Sequence, residues 1–426
     1  MQLPLFSPTT NWTAPRLEDL PQWRGAKRIA FDLETRDPQL RELGPGVRRD
    51  PKCNYIVGFS FARCDQMRGY YVPLRHLGGD NVENPERYIE WLREQAAEFD
   101  GIVVGQNLSY DIDWCSTLNV AFPNVKYFHD VMIGEVLCNE LHQSYSMANI
   151  LQRRGLPPKD ETVLESAAKS FGVDPKGGMW QLPARFVGAY GEADAVRPLQ
   201  ILAQQELDIE KQNLGQIFAL ESELLPVLVH IRQRGIRINF DQLDKVVKWS
   251  MEQEQEALNR VYDSTGVRLE LGSVWRANAI APALERVGIK LAKTEKTNAP
   301  KIDKFLLETT DHPVAKALGW ARKVNKIRTT FAESIYRHST NGRIHTTLTQ
   351  MAGEDETSGG GVKGARFGRM SCSSPNLQQS PGRDEFGRLW RSIYIPEQDM
   401  LWCCADYSQQ EPKMAAHFAG LLKLPG

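Results

Sequence analysis

Four short apolar runs near the start of this chain leave few folds open to it. In KRIAFDLET (27–35), Ile29, Phe31 and Leu33 alternate with Ala30, Asp32 and Glu34, which is the period of a strand. NYIVGFSFA (54–62) and GYYVPL (69–74) read as two further strands. Residues 87–99 carry Tyr88, Trp91, Leu92 and Ala96 at helical spacing, and GIVVGQN (101–107) is short and apolar enough for a buried strand. Three strands, a helix and a strand predict a mixed sheet with covering helices, an α/β (α+β) fold.

The acidic residues of this region fall at informative places. Period two puts Asp32 and Glu34 on one face of the first strand, where a lone pair of this kind ordinarily meets solvent. NLSYD (107–111) begins where the apolar run ends, and in YGEAD (190–194) Tyr190 and Asp194 are four apart, on one helical face. Asp32, Glu34, Asp111 and Asp194 together make the all-oxygen set that Mg²⁺ or Mn²⁺ prefers. Asp113 competes with Asp111 for that role. Pro198 is expected to interrupt or kink the helix just past Asp194.

At 426 residues the chain has room for two to four domains. Its formal net charge is −1, yet residues 291–345 hold eleven Lys/Arg against five Asp/Glu, and residues 361–391 six against two. Two basic patches on an acidic body fit a nucleic-acid partner. A helix is expected to begin near residue 213, with Ile217, Leu220, Leu224, Leu228 and Ile231 as its core stripe and Gly235 as its stop. Asp241 is the expected cap of a long polar supporting helix over 242–262, and the glycine-rich stretch 358–364 is expected to be a mobile loop. Seven scattered cysteines without CxxC spacing read as reduced thiols. No signal peptide and no apolar run of membrane-spanning length is present, so no membrane partner and a cytoplasmic location are expected.

DLET, GQNLSYD and YGEAD resemble, in order, the three exonuclease motifs of the proofreading domain attached to family A DNA polymerases. That resemblance implies an N-terminal extension (1–27) and a ribonuclease H-like 3′–5′ exonuclease domain (28–213). Asp32, Glu34, Asp111 and Asp194 would hold two divalent ions, Mg²⁺ or Mn²⁺, Tyr190 would orient the attacking water, and Asn107 would contact DNA. The basic stretch through WARKVNKIRTTF resembles the family's helical thumb (214–340), gripping duplex phosphates with Lys323, Lys326 and Arg328. GRIHTTLTQ (342–350) resembles the strand entering the palm. RFGRMSCSSPNLQQSP (366–381) resembles the template-contacting segment, with Arg369, Ser373, Asn376, Leu377 and Gln378 as its specific letters.

LWCCADYSQQE (401–411) resembles the first palm motif, within a partial palm (341–426). A strand is expected over 401–405, Asp406 would bind both catalytic ions, and Glu411 would crowd a ribose 2′ hydroxyl. QQEP resembles phage-type members more than bacterial ones, and Lys413 stands where the bacterial pattern has arginine. The family's fingers helix and second palm motif do not occur after Glu411. The expected function is therefore a 3′–5′ exonuclease and the N-terminal part of a DNA-directed DNA polymerase. Its partners would be single-stranded 3′ ends, primer-template duplex, and a second polypeptide that supplies fingers and remaining palm. A free-standing exonuclease with a DNA-holding tail and a non-catalytic DNA-binding replication subunit are the alternatives.

Overall fold

Trp23 lies at the centre of the first half of the molecule. Its indole is fully buried, stacked on Phe122 with ring centroids 6.4 Å apart and edge-on to Phe31, Trp91 and Phe99. The computed structural model describes residues 8–421 except 352, 356–360, 364, 366, 367, 383 and 384. Although it precedes the first strand, Trp23 thus belongs to the main core, and Leu20 packs there with it.

Five strands build the sheet: β1 (Arg28–Arg36), β2 (Tyr55–Arg63), β3 (Gly69–Pro73), β4 (Ile102–Gly105) and β5 (Tyr127–Asp130). Their order is β3-β2-β1-β4-β5. β4 and β5 run parallel to β1, and β2 runs antiparallel to both its neighbours. The Trp23 core and the Pro85–Glu98 helix cover one face. The Gly188–Lys211 helix covers the other, packing Ala195, Leu199 and Leu202 on Ala30, Ala62 and Val104. β1 is therefore buried on both faces over its first half, not half-buried as its alternation suggested. Small residues at 30 and 62 let the helix approach closely, and Asp32 and Glu34, which share a face with Ala30, point under that helix.

The helix runs unbroken through Pro198, against the expected interruption. What proline removes is one N–H, the donor for the carbonyl of Asp194 four residues back. The next helix, Gly215–Arg234, stops at Gly235, whose φ of +62° suits glycine, as expected. Of the expected stripe only Leu228 is fully buried. Phe218, Glu221, Ser222, Leu225, Leu228, Val229 and Arg232 are buried, while Ile217, Leu220 and Ile231 are exposed. Each polar group on the buried side has a partner: Glu221 accepts from Gln350, Ser222 donates to the carbonyl of Phe218, and Arg232 pairs with Asp113. Leu225 and Val229 join the Trp23 core, so this helix packs as part of the sheet domain.

The Phe240–Thr265 helix is capped by Asn239, whose side chain accepts from the Gln242 amide at 3.0 Å, rather than by Asp241. It serves two cores. Leu243 and Val246 pack with Ile327, Ile335, Trp390 and Ile393, and Ala257, Leu258 and Val261 pack with Leu284, Leu318 and Ala321. The run 342–350 forms two short strands rather than one: Arg343–Ile344 joins a small four-stranded sheet, and Thr347–Thr349 pairs with Ser371–Ser373. Within the glycine-rich stretch, Gly361–Lys363 pairs with Gly353–Asp355, while 358–360 and 364 lie outside the described residues. Residues 401–405 are not a strand, because no neighbouring strand among the described residues takes up their backbone groups. The seven cysteines form no disulfide, and no described helix is long and apolar enough to cross a membrane.

The two faces of the Gly215–Arg234 helix should respond oppositely to substitution. Leu220→Glu is expected to change unfolding free energy by no more than about 0.5 kcal/mol, and Leu225→Ala to cost about 2–5 kcal/mol through lost burial and a cavity. Urea unfolding of the two variants checks the assignment.

Candidate functional site

Where β1 passes beneath the Gly188–Lys211 helix, three carboxylates meet. One oxygen each from Asp32, Glu34 and Asp194 lies within 4.8 Å of the others. β1 delivers the first two by strand alternation, and the helix delivers Asp194 with Tyr190 one turn earlier. Close approach is possible because residue 191 is glycine: a Cβ there would stand 2.6 Å from the Tyr71 ring. Burial first, and then the Asp194 charge, push the Tyr190 phenol well above its ordinary range, so it stays neutral. Tyr71 of β3 is likewise pushed up by burial and by Glu34 and Asp32, and its hydroxyl lies 2.7 Å from His76 Nε2.

Asp111 sits beside this group rather than in it. β1 pairs with β4 only through Ala30, so the Leu33 amide lies past the end of β4 and donates to Asp111 Oδ1 at 3.1 Å. Burial, and behind it the charge of Asp32, holds Asp111 well above the usual carboxylate range. Asp130, at the end of β5, accepts from the amides of Asn107, Leu108 and Met132 at 3.1, 2.9 and 2.9 Å. It thereby fixes both the start of the Leu108–Cys115 helix that carries Asp111 and the left-handed backbone of Asn107, with φ of +57°. Asp113 is turned away from the cluster, fully buried between Arg48 (3.0 Å) and Arg232 (3.2 Å). Asp113 is thus committed to two arginines, while Asp111 lies against β1.

Two groups escaped sequence reading. Lys159, in the connector between the Met147–Arg153 and Thr162–Phe171 helices, places Nζ 2.7 and 2.8 Å from the two Asp194 oxygens and 3.5 Å from the Tyr190 hydroxyl. Asp130 is the other. Neither carries a local pattern, since a lysine in a proline-rich connector and an acid at a strand end are commonplace.

The remaining predicted residues are dispersed. Lys323 and Lys326 are exposed, stacked at 5.6 Å over Trp320 and 5.5 Å over Phe331. Arg328 is instead engaged by Glu254, a fully buried carboxylate at 2.7 Å that also accepts from Asn325. Asn376 accepts from the Gln378 amide and caps the turn 377–379, and Gln378 donates to the Met370 carbonyl. Arg369 pairs with Glu411 at 2.6 Å on the surface. Asp406 lies in an exposed segment before the Gln410–Leu421 helix, which buries none of its residues.

Residues 241–424 match the profile of DNA polymerase family A. A DNA-directed DNA polymerase of Pseudomonas phage M6 is 50% identical over 424 residues, covering 99% of this chain and 63% of the relative. DNA polymerase DpoZ of Vibrio phage phiVC8 is 26% identical, covering 86% of this chain and 59% of that protein. DNA polymerase I of Pseudomonas aeruginosa is 25% identical, covering 92% and 41%. This chain therefore spans about three fifths of the phage relatives' length. Among solved structures, the POL domain of Pol1 from M. smegmatis, in complex with DNA primer-template and dNTP, matches with a TM-score of 0.58 at 16% identity, covering 91% of this chain and 58% of that one.

Asp130 gives the site a pH signature. Burial holds its carboxyl at about 6 against an ordinary 3.8. The folded pKa lies above the unfolded one, so this group's contribution to stability is present below about pH 4 and is lost as the pH rises through about 6. Relative to Asp130→Asn, the wild type should lose on the order of 2–3 kcal/mol between pH 4 and 6.5. Urea midpoints measured across that range test it, and a constant difference would show ordinary titration.

Proposed function

We propose that the chain is a member of DNA polymerase family A, whose profile matches residues 241–424, that its first half is a 3′–5′ exonuclease and that its second half is the thumb and first portion of the palm of a DNA-directed DNA polymerase. The observation that carries the exonuclease reading is the meeting of Asp32, Glu34 and Asp194, from two separated elements, in one buried-edged cluster. The sheet order β3-β2-β1-β4-β5, with β2 antiparallel, supports the ribonuclease H-like reading of the domain.

The donor set is carboxylate oxygen throughout, which fits Mg²⁺ or Mn²⁺. Asp32, Glu34 and Asp194, with Asp111 beside them, would hold two such ions. When bound, they supply the positive charge that makes a water nucleophilic and stabilises the leaving 3′ oxygen of a phosphodiester. The chain's own groups prepare that chemistry. Tyr190, kept neutral, offers a hydroxyl at the rim of the cluster that can orient water. Burial under the Gly188–Lys211 helix keeps the carboxylates in a setting where their charges act strongly. The substrate is a frayed or single-stranded 3′ end of DNA in the cytoplasm.

For polymerisation, Asp406 would be a metal ligand and Glu411 the steric guard against ribonucleotides. Polymerisation also needs fingers and a second palm carboxylate, which are not among residues 1–426. Asn107, Arg369, Asn376 and Gln378 are proposed DNA contacts, and the duplex grip rests on Lys323 and Lys326, since Arg328 is committed to Glu254. The free-standing exonuclease and the non-catalytic subunit rank behind, because the four exonuclease carboxylates and the Asp406–Glu411 pair all stand in the sequence.

The purified chain should shorten mismatched or single-stranded 3′ ends in Mg²⁺ or Mn²⁺ and stop in EDTA. Asp32→Ala should reduce that rate by at least about a hundredfold while the far-ultraviolet circular dichroism is kept. Wild-type rates in the variant would remove the exonuclease assignment. For duplex binding, Lys323→Ala with Lys326→Ala should lower the slope of log affinity against log salt by about 2, since each lost phosphate contact removes about 0.9. An unchanged slope would make that face ordinary solvated surface.

A further inference from the structure

Lys159 occupies the position a cation would take on Asp194. Its ammonium contacts both carboxylate oxygens, at 2.7 and 2.8 Å, and lies 5.0 Å from the Tyr190 ring centroid. The placement is built rather than incidental. The side chain is only 14% exposed, Pro157 and Pro158 immediately precede it, and Arg197, on the same helix as Asp194, donates to the Pro158 carbonyl at 3.2 Å. The helix that presents Asp194 therefore also clamps the segment that presents the lysine.

A divalent ion on Asp194 needs one of those two oxygens at about 2.0–2.2 Å, and its charge repels an ammonium on the same carboxylate. Both cannot keep Asp194 to themselves. Resting on the exonuclease reading, we infer that Lys159 is a positioning residue that competes with the divalent ion for Asp194. It holds Asp194 and Tyr190 together, offsets the repulsion among Asp32, Glu34 and Asp194, and yields the carboxylate when the ion binds. Mutual repulsion of three acids is thus relieved by a tethered cation, and metal affinity is set lower than the bare carboxylates would give.

The test is Mn²⁺ binding, followed by electron paramagnetic resonance of free Mn²⁺, in the whole chain, with Lys159→Met, Lys159→Gln, Lys159→Arg and Asp32→Ala. Removing the ammonium should tighten Mn²⁺ binding about tenfold, the worth of one charge-assisted hydrogen bond. Lys159→Arg, which can still pair with the carboxylate, should stay near the wild type. In EDTA, Lys159→Met should melt lower than the wild type and gain more from added Mn²⁺. A readout without mutation is available too: Mg²⁺ should increase the acylation of Lys159, read by mass spectrometry, as the ammonium leaves its buried place. Equal Mn²⁺ affinity in the wild type, Lys159→Met and Lys159→Gln, with binding lost in Asp32→Ala, overturns the competition and leaves the exonuclease reading standing. Weaker binding in the Lys159 variants likewise overturns it. No Mn²⁺ binding that depends on Asp32 overturns both.

Discussion

Like charges crowded at a sheet's edge under a covering helix are the constraint around which the first domain is organised. Asp32, Glu34 and Asp194 within 4.8 Å, with buried Asp111 alongside, repel one another. That repulsion works against the packing of the helix on the sheet. Three devices hold it there: the Ala30, Ala62 and Val104 contact with Ala195, Leu199 and Leu202, the Leu33 amide on Asp111, and the Lys159 ammonium on Asp194. A site arranged this way has a standing preference for added positive charge.

The same domain is tied to the rest of the chain by charge as well as by apolar packing. Asp113, two residues beyond Asp111, is fully buried between Arg48 and Arg232, and the Arg232 carbonyl accepts from His345 at 2.8 Å. Neighbouring Asp37 is raised by burial, offset in part by the Gly46 amide and by Arg49 and Arg232. Breaking such a buried pair by removing one partner is far costlier than never having had it. The helix bearing Asp111 is thereby fixed to the Gly215–Arg234 helix, whose last turn receives His345.

The segment from 400 to 421 contrasts with everything before it. Leu401 is 94% exposed and Tyr407 81%, and Met414 and Phe418 are exposed as well. Alternating or helical apolar residues form stable structure by burying a face, and here only the helix forms, on local hydrogen bonds, while the expected strand does not. Among the described residues no strand pairs with it.

What could be read from the sequence alone was whatever depends on local geometry. The strands β1 to β4, the sharing of a face by Asp32 and Glu34, and the stacking of Tyr190 above Asp194 all follow from periods of two and of about 3.6 residues. Tertiary packing decided the rest. It turned Asp113 away from the acidic cluster, onto arginines 65 and 119 residues away. It turned the Gly215–Arg234 helix so that Glu221, Ser222 and Arg232 are buried and Leu220 is not, since those polar groups find partners that no local window contains. It put Arg328 on Glu254 instead of on the surface, and brought Lys159 to Asp194 across 35 residues. Periodicity fixes which side chains share a face. Which face is buried, and which charge meets which, depends on the free energy of pairs that form only when distant segments are packed together.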